Sequence, residues 1–380
     1  MVPVPYALRR PWMITRDLLQ SRAHPNLARL EAIDDAESFV WRILPHAART
    51  FTASIALLPA EPARAMAVAY LYCRVLDTYE DLIPDPAERE AALAAFGRRF
   101  ASAAAPAPAP RIAPDRARDA RDQAHVVLVN RCHLVDETFA TLHPLVRPHI
   151  ADLVHSMADG MTWSSQTFRE QGGVLQDAAQ LSHYCRTVIG LPFLFAVRMH
   201  LLRHTGDAAV TDALREDTLQ AGEMVQLANV TRDIEKDLRR GVAYHPVLAH
   251  DLGRGDGDPA LRERIRTVRD ELLQRALRLA PAYERMMRAL PFGRVSLARA
   301  SGVLMLAFTD RYYRGCAVSV GRAAWPGPRS ALGLIVRSAG HTLSPGLARR
   351  AVRRMTAALL QATNPGGYSA GVRVPRLPST

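Results

Sequence analysis

The chain is predicted to be all-α. Its hydrophobic content is 48%, mostly Ala, Leu and Val, while aromatic residues make up only 6%; that balance favours helix over sheet. No stretch alternates apolar and polar residues with the period of two that a half-buried strand requires. Pro and Gly fall between, rather than within, most of the helical patterns. The length of 380 residues allows one large domain or two, with a substantial core. No internal repeat is visible.

Residues 1–34 carry few signals and read as a loop with a short helix. A helical pattern runs from Ala36 to Leu44, where Pro45 should interrupt it. In the following His46-Ala-Ala-Arg49-Thr50-Phe51, Arg49 and Thr50 sit where a helix begins and free backbone N–H groups can meet an anion; an ordinary helix-start threonine beside a surface arginine is the alternative. Pro62 suits the first turn of a long helix that ends in Asp77, Glu80 and Asp81, with Pro84 stopping it. Along that helix Met66, Tyr70, Cys73 and Asp77 share one line, and Arg74, Asp77 and Asp81 a neighbouring one. Residues 86–100 form another helix. Ala101 to Pro114 is a Pro/Ala-rich low-complexity segment, expected as an exposed loop between helices.

Helices are expected at 117–141 and 144–170. Met157, Gly160, Met161 and Ser164 share a side of the second, either lining an apolar cavity or packing the core. Gly190 and Pro192 should break or kink the helix over 178–204, opening a pocket beside Tyr184; a buried core tyrosine is the alternative. Residues 207–240 form a helix closed by Gly241. Helices follow at 259–289, 294–322 and 345–362, and the Pro/Gly-rich tail 363–380 reads as loose.

Lys and Arg number 49 against 37 Asp and Glu, a net charge of +12. This suits an anionic partner: nucleic acid, acidic lipid or a phosphorylated substrate. No zinc-like spacing, compact basic motif or basic–aromatic ladder points to nucleic acid. Cys73, Cys132, Cys185 and Cys316 are widely scattered, with neither metal-ligand spacing nor a disulfide framework, which favours a reducing, cytoplasmic setting. The N-terminus lacks the pattern of a secretion signal. The longest strongly apolar uncharged run, Thr187 to Val197, is too short to span a bilayer. A soluble or peripheral membrane protein is expected.

The chemistry is concentrated in two acidic clusters. Asn229, Asp233 and Asp237 are spaced i, i+4, i+8, so their oxygens share one helix face, with Gln226 one turn earlier. Aspartates at i, i+4 repel, and a hard divalent cation offsets that cost. The competing interpretation is a solvated face with Asp233–Lys236, Glu235–Arg239 and Asp237–Arg240 pairs. The second cluster, Asp77-Thr-Tyr-Glu80-Asp81, lies at a helix C-terminus, where carboxylates oppose the macrodipole. Function explains that placement better than stability does. Two such helices facing each other across an apolar cavity can hold Mg²⁺, which takes its remaining ligands from water and substrate phosphate. Arg49, Arg74 and Arg232 are placed to neutralise a departing diphosphate. The dry pocket would keep water from a carbocation, and Tyr184 could move a proton or steady the cation with its ring.

These segments resemble the squalene/phytoene synthase family. Asp77-Thr-Tyr-Glu80-Asp81 and Asn229-Val-Thr-Arg232-Asp233-Ile-Glu-Lys-Asp237 are similar to its two aspartate-rich motifs. Tyr70-Leu-Tyr-Cys73-Arg74, Arg49-Thr50-Phe51, Tyr184-Cys185, Gln226 and Tyr244 match in the same order, over about residues 40–320. The resemblance implies one all-α domain with a central cavity at 36–322, after an N-terminal extension at 1–35 and before a basic helix and loose tail at 323–380. Family members join two prenyl diphosphates head to head through a cyclopropyl diphosphate, using Mg²⁺; squalene synthases then reduce that intermediate with NADPH. By position, Asp77, Glu80, Asp81, Asn229, Asp233 and Asp237 hold metal, and Arg49, Thr50, Phe51, Tyr70, Arg74, Gln226, Arg232 and Tyr244 surround the diphosphate. Tyr184 matches the tyrosine of the first half-reaction.

The chain also departs from the pattern. Val242 stands where many members have arginine, with Arg239 or Arg240 as the nearest substitute. Val188-Ile189-Gly190-Leu191-Pro192-Phe193 replaces Val-Ala-Gly-x-Val-Gly, so Ile189 and Phe193 add bulk against the prenyl chain. The basic helix with Arg349, Arg350, Arg353 and Arg354 either docks on anionic membrane or is simply solvated. The expected function is Mg²⁺-dependent coupling, with farnesyl diphosphate giving presqualene diphosphate and squalene or a relative. A terpene cyclase on the same scaffold and a non-catalytic prenyl-lipid binder are the alternatives. NADPH use, chain length and oligomeric state are left open by the sequence.

Overall fold

The structure, a computed structural model, describes residue 13 and residues 25–48, 50–100, 107–254, 258–327 and 330–363. Among the described residues the regular structure is helical, and one isolated parallel bridge, Val174 to Ala243, is the only strand-like pairing. The helices are α1 (Leu27–Glu31), α2 (Ala36–Ala48), α3 (Thr50–Ala56), α4 (Ala60–Leu82), α5 (Pro86–Arg98), α6 (Ala120–Asn130), α7 (Cys132–Ala140) and α8 (Arg147–Glu170). The second half holds α9 (Ala178–Cys185), α10 (Leu191–Thr205), α11 (Asp212–Arg239), α12 (Pro259–Arg278), α13 (Ala280–Ala289), α14 (Leu297–Ser319), α15 (Ala331–Gly340) and α16 (Pro345–Gln361).

Several boundaries differ from the sequence expectation, each for a physical reason. Helix α2 continues through Pro45 because Pro45, His46, Ala47 and Ala48 are all buried; tertiary burial offsets the roughly 3 kcal/mol that an interior proline costs. The helix expected over 117–141 is broken at Arg131 (φ −113°, ψ 24°). The Arg131 guanidinium reaches back to the carbonyl of Leu30 at 3.3 Å, to that of Glu31 and to Asp34 at 2.9 Å, tying α1 to the break. The segment 259–289 divides at Leu279, since Pro281 falls in the first turn of α13 and has no N–H for a continuing ladder. Helix α15, a short apolar segment, was not expected at all. Residues 101–106 of the Pro/Ala-rich loop and the tail 364–380 lie outside the described residues.

Gly190 and Pro192 do not break the chain. They lie at a wide π-helical turn, Arg186–Gly190, that joins α9 to α10 without interruption. The continuous run Ala178–Thr205 is therefore 28 residues long, and its most apolar 18-residue window has a mean hydropathy of 1.4, enough by length and composition to cross a bilayer. The expectation from the short uncharged run missed this join. In the fold 61% of its most apolar window is buried, packed against α8 and α11.

The site rests on the contact between this turn and α11. A Cβ on Gly222 would lie 2.5 Å from the Cα and 2.8 Å from the N of Gly190, so a residue without a side chain is needed at 222 for the backbones to meet. Beside them Glu223, only 2% exposed, accepts from Ser182 at 2.6 Å, Arg186 at 3.0 Å and Arg275 at 2.9 Å. One buried carboxylate thus ties α9, the π-turn, α11 and α12. Gly222→Ala should destabilise the protein by about 1–3 kcal/mol or more through backbone overpacking, read as a lower urea midpoint. An unchanged midpoint would show that the two helices are free to part.

Candidate active site

The C-terminal turns of α4 and α11 meet at one end of a cavity of about 1100 Å³. From α4 come Tyr70, Arg74, Asp77, Glu80 and Asp81; from α11 come Gln226, Asn229, Arg232, Asp233 and Asp237; Arg240 and Tyr244 follow just past the helix end. Arg240 bridges the two helices: its Nη2 lies 2.7 Å from Asp81 Oδ1 and its Nη1 3.3 Å from Asp237 Oδ1. Its Nη2 also donates to the Glu80 carbonyl at 3.3 Å. Arg240 and Glu80, 160 apart in sequence, are thereby drawn together. Gly241, at φ +74°, ends α11 and turns the chain back so that Val242 and Tyr244 also reach the cavity.

The other polar groups are held in the same way. Arg74 pairs with Asp77 at 3.1 Å and donates to the Tyr70 hydroxyl at 3.0 Å. Arg232 forks onto its neighbour Asp233 at 2.9 and 2.7 Å, and the Asn229 amide donates to Gln226 at 2.8 Å. Of the ion pairs expected for a solvated face, Asp237–Arg240 forms; Asp233 takes Arg232, and Glu235 takes Arg269 from α12 at 2.6 Å.

Burial pushes Asp77 up to about 6, with Arg74 opposing and Asp81 adding to the rise. Burial likewise pushes Glu80 up to about 8, helped by Asp81 and Asp77, and Asp237 up to about 7, with Arg240 opposing and Asp233 adding. Asp81 is the exception: burial raises it, but Arg240, Lys236 and Arg74 together bring it below its ordinary value. Crowded, desolvated carboxylates of this kind carry more negative charge than their arginines neutralise.

Deeper in the same cavity lies the tyrosine pair. The Tyr184 and Tyr244 hydroxyls share a 3.1 Å hydrogen bond, with ring centroids 5.0 Å apart. Burial pushes both phenols well above 10, with Glu80 next in line for Tyr184 and Asp237 for Tyr244. Phe51 stacks on Tyr70 at 5.5 Å. The apolar remainder of the cavity includes Ile55, Leu58 and Met66 on one side, Ile189, Phe193 and Val197 on another, and Met286, Leu290 and Met305 at the far end. Phe193 meets Tyr283 edge-on at 6.2 Å. Of the small-residue side of α8, Met157 lines the cavity, while Met161 and Ser164 are core and Gly160 packs on Thr187.

Every residue expected to hold metal, surround the diphosphate, act on the substrate or add bulk against the prenyl chain lines this one cavity, apart from two. Arg49 lies outside the described residues, and Thr50 is the first residue of α3, with its side chain outside the description. A model of the squalene/phytoene synthase family matches residues 44–329. The chain belongs to the squalene/phytoene synthase family. Members of that family are prenyltransferases that condense prenyl units head to head, and this family member is a prenyltransferase. Two solved structures of TcSQS share its fold. The complex with the ligand BPH1237 aligns with a TM-score of 0.61 at 17% identity, covering 87% of this chain and 99% of that chain. The complex with the ligand E5700 gives 0.60 at 16%, with the same coverage. No curated protein sequence matches the chain.

In this squalene/phytoene synthase family chain, sequence reasoning missed a basic rim on the cavity. Arg89 lines it from α5, Arg116 and Arg118 from the α5–α6 connection and Arg121 from the first turn of α6, with Lys236 in the lining from α11. Arg89 is anchored by Ser165 at 2.9 Å and the Ile83 carbonyl at 3.2 Å. Burial and then Arg74 lower Arg121, so these two guanidiniums face each other. The buried Nε of each, and Oδ1 of Asp77, have no hydrogen-bond partner among the described residues. Among the described residues no three His, Cys, Asp or Glu side chains form a closed metal cluster. An all-oxygen set with an orphaned carboxylate oxygen fits an open site for a hard cation, which completes its shell with water and phosphate.

Proposed function

We propose that this prenyltransferase couples two molecules of farnesyl diphosphate to presqualene diphosphate, and on to squalene or a close relative, with Mg²⁺. The observation that carries this reading is the Arg240 bridge, which brings both acidic motifs to one end of an apolar cavity. Asp77, Glu80, Asp81, Asn229, Asp233 and Asp237 are the residues that would hold Mg²⁺. When bound, Mg²⁺ supplies positive charge to the departing diphosphate.

The protein's own part follows from its groups. Arg74, Arg232 and Arg240 sit among the carboxylates and neutralise charge as the allylic C–O bond breaks and its electron pair leaves with the diphosphate. The apolar body of the cavity keeps water from the carbocation that remains. Tyr184 is 5% exposed; its hydroxyl, braced by Tyr244, is placed to move a proton at the reacting carbons, and its ring to steady positive charge. At 1100 Å³ the cavity exceeds the roughly 300–1,000 Å³ of ordinary small-molecule pockets, which favours two chains over one.

A terpene cyclase folding a single chain is the second reading, favoured by the bulk of Ile189 and Phe193 in the cavity lining. Product mass separates the two: incubation with farnesyl or geranylgeranyl diphosphate, with and without Mg²⁺ and NADPH, gives a doubled carbon count for coupling and an unchanged count for cyclisation. A reduced product only with NADPH would assign the second half-reaction. Ile189→Ala with Phe193→Gly should widen the second-substrate pocket and shift the products toward longer chains. An unchanged product profile by mass spectrometry would refute that role for the two side chains.

A further inference from the structure

The end of the cavity away from the carboxylates reaches the surface at Val295, which lines it and is 66% exposed. Two loops meet there. Ser296 N donates to the Thr342 carbonyl at 3.0 Å. The buried Arg299 donates to four backbone carbonyls: Gly293 at 2.7 Å, Arg294 at 3.0 Å, His341 at 3.0 Å and Thr342 at 2.6 Å. This single guanidinium fixes the two loops side by side. Their tips are apolar: Val295 and Leu343 flank the hydrogen-bonded Ser296 and Thr342 in sequence, Leu343 is 72% exposed, and Leu347, 50% exposed, follows in the first turn of α16.

The surroundings are strongly cationic; the carboxylate of Glu284, which accepts from Thr356 of α16 at 2.9 Å, is itself paired with Arg288 at 2.6 Å. No Asp or Glu occurs between residues 311 and 363. Arg294, Arg337, Arg349, Arg350, Arg353 and Arg354 are all exposed. Helix α16 turns Ala348, Val352, Thr356 and Leu359 into the core, leaving its arginines and Leu347 outward.

We propose that this face, with Leu343 and Leu347 as inserted tips and the arginines as a rim, docks on an anionic lipid bilayer. A rigid pair of apolar loop tips inside a field of one sign matches an interface with hydrocarbon below and negative headgroups around it. The charge complementarity excludes a zwitterionic surface as the preferred partner. Docked in this way, the apolar end of the cavity opens toward the membrane. A water-insoluble product can then leave without crossing water; this last step rests on the coupling reading above, while the docking does not.

The test uses the full chain with two vesicle preparations, phosphatidylcholine alone and phosphatidylcholine with about one third phosphatidylglycerol. The protein should float with the anionic vesicles and be released by high salt. Leu343→Glu with Leu347→Glu should weaken that binding at least tenfold; an acidic side chain in the first turn of α16 suits the helix dipole, so the fold should persist, with the melting temperature as the check. Its turnover of detergent-dispersed prenyl diphosphate should stay at the wild-type level. Replacement of Arg349, Arg350, Arg353 and Arg354 by Gln should abolish the preference for anionic vesicles. Failure of wild type to bind, equal binding of neutral vesicles, or a Leu343→Glu/Leu347→Glu protein that binds as wild type would each overturn the proposal. Loss of the vesicle effect leaves product mass untouched, so failure of the docking and failure of the coupling reading are told apart.

Discussion

Asp237→Asn should lower turnover by about 10³-fold and at the same time raise the melting temperature of the metal-free protein. Asp237 is buried between Arg240 and the carboxylates of Asp233 and Asp81, and it is pushed up to about 7. Glu80, at about 8, is in the same position, and Glu80→Gln should behave alike. An acid whose folded-state pKa is raised binds more protons folded than unfolded over the window between the two values. Stability therefore falls as pH rises from the ordinary carboxylate range to about 8. The gain from either substitution should be absent near pH 4 and largest above about pH 8, because only there is the buried charge fully present. Asp81→Asn is the contrast. Arg240 and its fellow cations hold Asp81 below its ordinary value, so losing that carboxylate should cost both activity and stability, the latter at neutral pH rather than below pH 4. Melting curves in chelator at about pH 5 and pH 9, beside diphosphate release with Mg²⁺, test all three. A destabilised Asp237→Asn protein would mean that the carboxylate serves the fold and not the chemistry.

Tyr184→Phe should lower kcat by about a hundredfold while KM changes little. The ring, its packing and its aromatic face survive the change; only the hydroxyl is lost. Tyr244→Phe removes the 3.1 Å partner of that hydroxyl and should cost less. The double variant should be no slower than Tyr184→Phe alone, since Tyr244 positions the group rather than reacting. Burial, then Glu80 and Tyr244, push the Tyr184 phenol well above 10, so it keeps its proton across the working range. The wild-type pH profile should accordingly show no alkaline limb from this residue. Single-turnover kinetics of the three variants decide the matter, and a Tyr184→Phe enzyme at the wild-type rate would remove the tyrosine from the mechanism.

The acidic motifs were legible because helical spacing alone puts Asp77 and Asp81, or Asn229, Asp233 and Asp237, on one face. Their meeting could be anticipated but not oriented. The sequence pairs Arg240 with Asp237 at i, i+3; nothing in it says that the same guanidinium also reaches Asp81. The basic rim of Arg89, Arg116, Arg118 and Arg121 escaped notice because those residues carry no periodic signal and converge only through the return of the chain from α5 to α6. Local rules failed where burial overrode them. Pro45 stays inside α2, and a segment whose pattern is helical throughout breaks at Arg131, whose guanidinium is tied to the carbonyls of Leu30 and Glu31. Nothing in the sequence marks Arg299, yet it is 3% exposed and stitches two loops.

The wide turn at Arg186–Gly190 holds one residue more than an α-turn would need. Tyr184 lies before it, while Ile189 sits within it and Phe193, Val197 and His200 come after. Removing the extra residue would spin everything downstream by about 100° relative to the phenol. The turn is therefore a phase setting between the reactive group and the greasy lining. Each can be tuned by substitution on its own side while the angular offset between them stays fixed.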